Sequence, residues 1–193
     1  MNALILVDIQ NDFVPGGALA VPEGDAVVPV ANKLQEAGGF DFIVATQDWH
    51  PADHGSFAAN NPGRRVGEVI DLNGLPQILW PVHCVQETRG AEFHPELLDD
   101  PRIQIISKGT GDEDSYSAFD GTKLADLLRA EGVEEVWVGG LATDYCVKNT
   151  ALDALRQGYR VTVDPDGVRG VDVSPGDSLR ALDELREAGA TVG

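Results

Sequence analysis

Five short apolar runs, spaced along the chain and mostly alternating with helical patterns, constrain this sequence more than any other feature. Leu4-Ile5-Leu6-Val7, Phe42-Ile43-Val44-Ala45-Thr46, Ile103-Gln104-Ile105-Ile106, Glu135-Val136-Trp137-Val138 and Arg160-Val161-Thr162-Val163 are short, rich in β-branched residues, and read as strands. Between and after them lie amphipathic segments near Val27 to Ala37, Lys123 to Glu131, Asp144 to Gln157 and Gly176 to Ala188. Such alternation needs right-handed crossovers, which build a mainly parallel sheet covered on both faces. The expected fold is therefore three-layer α/β/α, Rossmann-like, with five to six strands. Gly189-Ala190-Thr191-Val192 is the candidate for the sixth, at an edge.

The 193 residues suit a single domain, 1–193, large enough for a real core. The formal net charge of −18 argues against nucleic acid as a partner, because phosphate binding needs a basic surface. Solubility or a saline habitat explains the acidity equally well, so it defines no substrate. No apolar run reaches the roughly 18–20 residues of a membrane span, so no membrane partner is expected. The start Met1-Asn2-Ala3-Leu4 lacks a signal-peptide pattern. Two cysteines, Cys84 and Cys146, make no disulfide framework, and a cytoplasmic protein with reduced thiols is expected.

One interval breaks the alternation. Residues 49–102 show little helical periodicity and hold six of the eleven prolines and all four histidines. A loop this long inside a compact domain is functional or disordered. Its opening, Asp48-Trp49-His50-Pro51-Ala52-Asp53-His54, follows a strand. Asp48 and His50, two apart on extended backbone, project to one side and can grip a divalent cation. Zinc is the first choice, with iron and manganese equally suited by ligand type. The plain alternative is a solvated acidic loop whose histidines cap turns. His83 can fold back as a further imidazole ligand. His94 reads as structural, and Cys84 as packing.

Three strand ends carry chemistry-bearing groups. Asp8 follows the first strand, where partial desolvation should raise its pKa, although strand-end aspartates are often only turn formers. Lys108 follows the third strand ahead of Gly109, and its alternative is a snorkelling surface lysine. Cys146 follows Gly139-Gly140-Leu141-Ala142-Thr143-Asp144-Tyr145 at the start of a helix, beside Asn149 and Asp153 and off the stripe of Val147, Ala151, Ala154 and Leu155. A thiol in a helix's first turn is expected to have a lowered pKa, and the local N–H groups could hold an oxyanion. Its alternative is a small buried hydrophobe. Parallel strands would bring the acid, the lysine and the thiol to one sheet edge, the constellation of an activated cysteine nucleophile.

The chain resembles the isochorismatase-like cysteine hydrolases, and within them the nicotinamidases or pyrazinamidases. The resemblance rests on Val7-Asp8-Ile9-Gln10-Asn11-Asp12-Phe13, Thr46-Gln47-Asp48-Trp49-His50-Pro51, Trp80-Pro81-Val82-His83-Cys84-Val85, Lys108-Gly109, Asp114-Ser115-Tyr116-Ser117-Ala118-Phe119 and Gly140-Leu141-Ala142-Thr143-Asp144-Tyr145-Cys146-Val147. It implies a catalytic triad of Asp8, Lys108 and Cys146, and one divalent metal on Asp48, His50 and His83 with His54 as an optional further ligand. It also implies a cis peptide joining Leu141 to Ala142 that orients the oxyanion N–H groups of Ala142 and Cys146. Phe13, Trp80, Tyr116 and Tyr145 would line the substrate slot. The implied reaction is hydrolysis of nicotinamide, and of pyrazinamide, through a cysteine thioester in NAD salvage. Two alternatives stay open: a carbamoyl or ureido amidohydrolase of the same family, and a catalytically silent metal-holding module. Monomer and homo-oligomer are both compatible with the sequence.

Overall fold

The computed structural model describes residues 1–111 and 115–193. Six strands form one all-parallel sheet: β1 (Asn2–Val7), β2 (Phe42–Asp48), β5 (Ile103–Lys108), β6 (Glu135–Leu141), β7 (Arg160–Arg169) and β8 (Thr191–Val192). Their spatial order is β5-β2-β1-β6-β7-β8, so the chain builds outward from β1 first to one side and then to the other. The order reverses at β1, and a crevice opens at the carboxyl ends of strands flanking such a switch. Asp8, Asp48, Lys108 and Ala142 lie at or just past the ends of β1, β2, β5 and β6.

Alternation along the strands divides the core in two. Leu4, Leu6, Ile43 and Ala45 face Val27, Val28 and Ala31 of α1 (Val27–Ala37). Ile5, Val7, Val44, Val136, Val138 and Val163 face Leu124 and Leu128 of α2 (Leu124–Ala130), Ala151 and Ala154 of α3 (Lys148–Arg156), and Leu182 and Leu185 of α4 (Asp177–Ala188). Both sheet faces are covered, which is why the strands read as nearly continuous apolar runs. At Gly140, with φ +116°, a Cβ would lie 2.1 Å from the Val7 carbonyl oxygen. Only glycine lets β6 come this close to β1 beside Asp8. Among the described residues no helix is long and apolar enough to cross a membrane.

The structure adds to the sequence-based expectation in three places. The interval 49–102 contains an antiparallel hairpin, β3 (Val69–Leu72) and β4 (Leu75–Ile78), joined through Asn73-Gly74. Strand β7 continues past Val163 through Pro165, where the register against β6 shifts and the lost proline N–H is tolerated. The expected helix beginning at Asp144 instead opens as a π turn over Thr143–Val147, with α3 starting only at Lys148. The carbonyl of Ala142 accepts from both Tyr145 N and Val147 N at 3.1 Å, the second being the wider bond of a π turn. The terminal pair Thr191–Val192 does join the sheet, parallel to β7.

Candidate active site

The site is organised by one buried ammonium. Lys108 is 1% exposed, and its Nζ lies 2.9 Å from Asp8 Oδ2, 3.0 Å from the Ser115 carbonyl oxygen and 3.4 Å from Cys146 Sγ, and also donates to Asp48 Oδ1. Four segments thus converge on a single cation. The ligand atoms of Asp8, Asp48 and Cys146 all lie within 4.8 Å of one another. That group is not a metal site, because Nζ contacts all three of its members.

Asp8 reaches this position because the chain turns there at φ +48°, ending β1. Thr46 on β2 fixes the carboxylate: its hydroxyl donates to Asp8 Oδ1 at 2.6 Å and accepts the Asp8 N–H at 3.1 Å. Oδ2 faces Lys108 and has no further hydrogen-bond partner among the described residues, so it is the oxygen with capacity to take a proton. Burial, reinforced by the charge of Asp48, raises the Asp8 pKa against the opposing pull of Lys108. Burial would push Asp48 the same way, but Lys108, His50 and His83 outweigh it and hold that carboxyl well below its usual range. Burial opposes the charge on Lys108, yet Asp48 and Asp8 keep it protonated well beyond the ordinary lysine range.

Cys146 corrects one expectation. A first-turn thiol was expected to be acidified by a helix terminus, but this one is buried under the slot, at 7% exposure, inside a π turn. Burial first, then Asp8 and Asp48, push its pKa well up, and Lys108 only partly offsets them. The resting thiol therefore keeps its proton until a base takes it. Asp8, itself raised, is the adjacent base.

Asp48, His50 and His83 form the second half of the site, with ligand atoms within 4.8 Å of one another and all three side chains buried. Their chemistry fits a divalent cation. His50 Nδ1 donates to the Gly109 carbonyl at 2.8 Å, and His83 Nδ1 donates to the Pro81 carbonyl at 2.7 Å. A carbonyl can only accept, so both rings carry a proton on Nδ1 and, once neutral, present on Nε2 the lone pair a metal requires. Gly109 makes the first contact possible, since a Cβ there would lie 2.4 Å from His50 Cε1. His54 is wired the other way. Its Nδ1 accepts the Ser56 N–H at 3.2 Å, which puts the proton on Nε2, and its ring packs 4.4 Å from that of His50. It borders the three-residue set without joining it. His94 stands apart, accepting from Glu96 N at the edge groove beside β5. Cys84 is buried, and burial raises its thiol pKa, as suits a packing role. Asp114 lies outside the described residues.

A slot opens over both halves, walled by Phe13, Leu19, Trp80, Tyr116, Tyr145 and Val171, with Asp48, His83, Ala142 and Cys146 also on its lining. All four aromatic residues expected there are present. Trp80 meets Tyr145 edge-on with centroids 5.0 Å apart, and Tyr116 lies 5.5 Å from Tyr145. The Tyr116 hydroxyl accepts from Trp80 Nε1 at 3.0 Å and from Gln77 of β4 at 3.1 Å, so the hairpin props this wall. Burial pushes the Tyr145 hydroxyl pKa up to about 12, leaving it neutral. The peptide between Leu141 and Ala142 is cis, as expected. Thr46, Gln10 and the Ser115 carbonyl are further site groups that the sequence alone does not single out. All of them lie inside the motifs that carry the resemblance, and the polarity of Thr46 and Gln10 next to buried strand ends is the available signal.

The fold and this geometry together define an isochorismatase-type cysteine hydrolase. The Isochorismatase domain family model matches residues 2–193, and the chain belongs to that family. The nicotinamidase of Escherichia coli (strain K12) is 50% identical over 202 residues, covering 99% of this chain and 93% of the relative. The structure of a pyrazinamidase from Pyrococcus horikoshii in complex with zinc is 45% identical with a TM-score of 0.82, over 100% of this chain and 98% of that one. The yeast nicotinamidase bound to the inhibitor nicotinaldehyde is 34% identical with a TM-score of 0.92, over 100% and 99%.

Replacing Lys108 by Met should reveal how much the ammonium does. Two buried carboxylates lose their counter-ion, and at pH 8 the variant should be about 3–5 kcal/mol less stable than wild type in urea titrations. Without Lys108 the folded-state carboxyl pKa values rise above their unfolded values, so the native variant binds more protons than the unfolded chain. The deficit relative to wild type should therefore shrink from pH 8 to pH 5. A deficit independent of pH would contradict this electrostatic account.

Proposed function

We propose that this protein is a nicotinamidase, hydrolysing nicotinamide to nicotinate and ammonia, and pyrazinamide likewise, through a thioester on Cys146. The observation that carries the proposal is the Lys108 ammonium, which binds the base Asp8, the thiol of Cys146 and the metal-type ligand Asp48 beneath a slot of aromatic rings. A flat heteroaromatic amide matches such a slot in shape and polarity.

Asp48, His50 and His83 would hold one divalent cation, with zinc the first choice, which when bound supplies a Lewis-acid anchor for the ring nitrogen. Phe13, Trp80, Tyr116 and Tyr145 confine the ring, which fixes the carboxamide carbon over Cys146 Sγ. Asp8 Oδ2 takes the thiol proton, while Lys108 stabilises the thiolate as it forms. Sulfur adds to the carboxamide carbon, and the backbone N–H groups of Ala142 and Cys146 stabilise the resulting oxyanion. Asp8 returns its proton to the amine nitrogen, the C–N bond breaks, and ammonia leaves. Asp8 then deprotonates a water that attacks the thioester, and the released thiolate recovers the proton. Two buried thiols suit a reducing compartment, and we place the reaction in the cytoplasm as part of pyridine-nucleotide salvage.

Ammonia release from nicotinamide by the purified protein tests the proposal. Cys146→Ala should lower kcat by about 10³-fold or more with the fold intact, and chelation should mainly raise KM until zinc is restored. Turnover by Cys146→Ala near the wild-type rate would overturn the covalent route. The pH profile supplies a separate test. Asp8 must be ionised to act and its pKa is raised, so the acid limb of kcat/KM should fall above the ordinary aspartate value of about 3.9. In Asp8→Asn that limb should vanish along with most of the activity. An acid limb that survives the substitution would assign it to another group.

A further inference from the structure

The segment that leaves β1 after Asp8 carries a second device, in Gln10. The β1–β2 ladder ends at Leu6 paired with Ala45, because β1 stops at the Asp8 turn while β2 runs three residues further to Asp48. On its other side Asp48 still pairs with Lys108 of β5. On the side facing β1 it has lost its strand neighbour. The fully buried side chain of Gln10 takes that neighbour's place. Its Oε1 accepts the Asp48 N–H at 2.8 Å, and its Nε2 donates to the Asp48 carbonyl at 2.8 Å and to the Ala91 carbonyl at 2.8 Å. One amide thus satisfies both backbone groups of Asp48, with nothing of its own left unpaired.

The residue so held is the one whose carboxylate is shared by both halves of the site. Asp48 Oδ1 meets Lys108, and Oδ2 lies 3.6 Å from His50 Nε2. A rotation of its backbone would move the metal-facing oxygen and the lysine-facing oxygen together. We propose that Gln10 is a positioning residue that replaces the missing strand ladder at Asp48 and so fixes the carboxylate for the metal, a role that rests on the metal set proposed above. Outer partners of metal ligands typically influence affinity about 10- to 100-fold. Gln10 acts one bond further out, through the backbone of the ligand rather than its carboxylate.

The test compares wild type, Gln10→Met and Leu185→Ala, a truncation in the core under α4, for zinc affinity by chelator competition, for the visible absorption of the Co²⁺-substituted protein, and for stability of the apo form. Gln10→Met keeps the volume and removes all three hydrogen bonds. It should weaken zinc binding about 10-fold or more and shift the Co²⁺ bands, whereas Leu185→Ala should lose stability with affinity and bands unchanged. Gln10→Glu, which keeps the acceptor oxygen and the size, replaces Gln10→Met if circular dichroism shows that the latter does not fold, with the same expected direction. Wild-type affinity and bands in a folded Gln10 variant would overturn the positioning role alone. A wild-type protein that binds neither Zn²⁺ nor Co²⁺ would overturn the metal set, and this proposal with it.

Discussion

A single ammonium buried between two carboxylates is the interaction on which this structure depends. Removing Lys108 from water is costly, and its charge survives only because Asp8 and Asp48 flank it. The lysine and its two partners come from the ends of three neighbouring parallel strands, so the sheet order β5-β2-β1 is what delivers them to one point. The thiol arrives from the far side of β1, at the end of β6. A parallel sheet that switches direction at β1 therefore creates both the crevice and its charge pattern.

The same ion cluster divides the proton chemistry. Asp8 and Asp48 touch the same cation yet are pushed in opposite directions, Asp8 up by burial and Asp48 down by Lys108 with the two histidines. One carboxylate is thereby fitted to exchange protons and the other to remain anionic beside a cation. Pairs of like groups driven apart by their surroundings mark acid–base assignments. The buried thiol complements this arrangement, because a group that holds its proton at rest is protected until substrate and base act together.

Much of this was legible in the sequence, and the exceptions have physical reasons. Strand–helix alternation gave the parallel sheet because buried strands show apolar runs that survive any tertiary context. Asp8, Lys108 and Cys146 stood out because polar groups at strand ends are spatially convergent in such a sheet. The hairpin at residues 69–78 shows only its turn, Asn73-Gly74, because its strands are half exposed and weakly apolar. The apolar run of the fifth strand stops at Val163, whereas β7 continues through Pro165 across a register shift against β6. The sign of the Cys146 shift is not legible there, because burial depth depends on the elements packed around a helix start and not on the start itself. Gln10 and Thr46 signal only polarity beside buried strand ends, and their roles exist only where the chain departs from the ladder at Asp8.

The proposed chemistry turns on Cys146, deprotonated by Asp8 beside Lys108, becoming covalently acylated. Turnover of nicotinamide in the presence of hydroxylamine tests this most directly, because a thioester partitions between water and the added nucleophile. The account predicts nicotinohydroxamate formed at the expense of nicotinate, with one ammonia released per nicotinamide consumed. Undiminished nicotinate with no hydroxamate, at hydroxylamine concentrations that leave turnover intact, would mean that water attacks the amide directly and would contradict it.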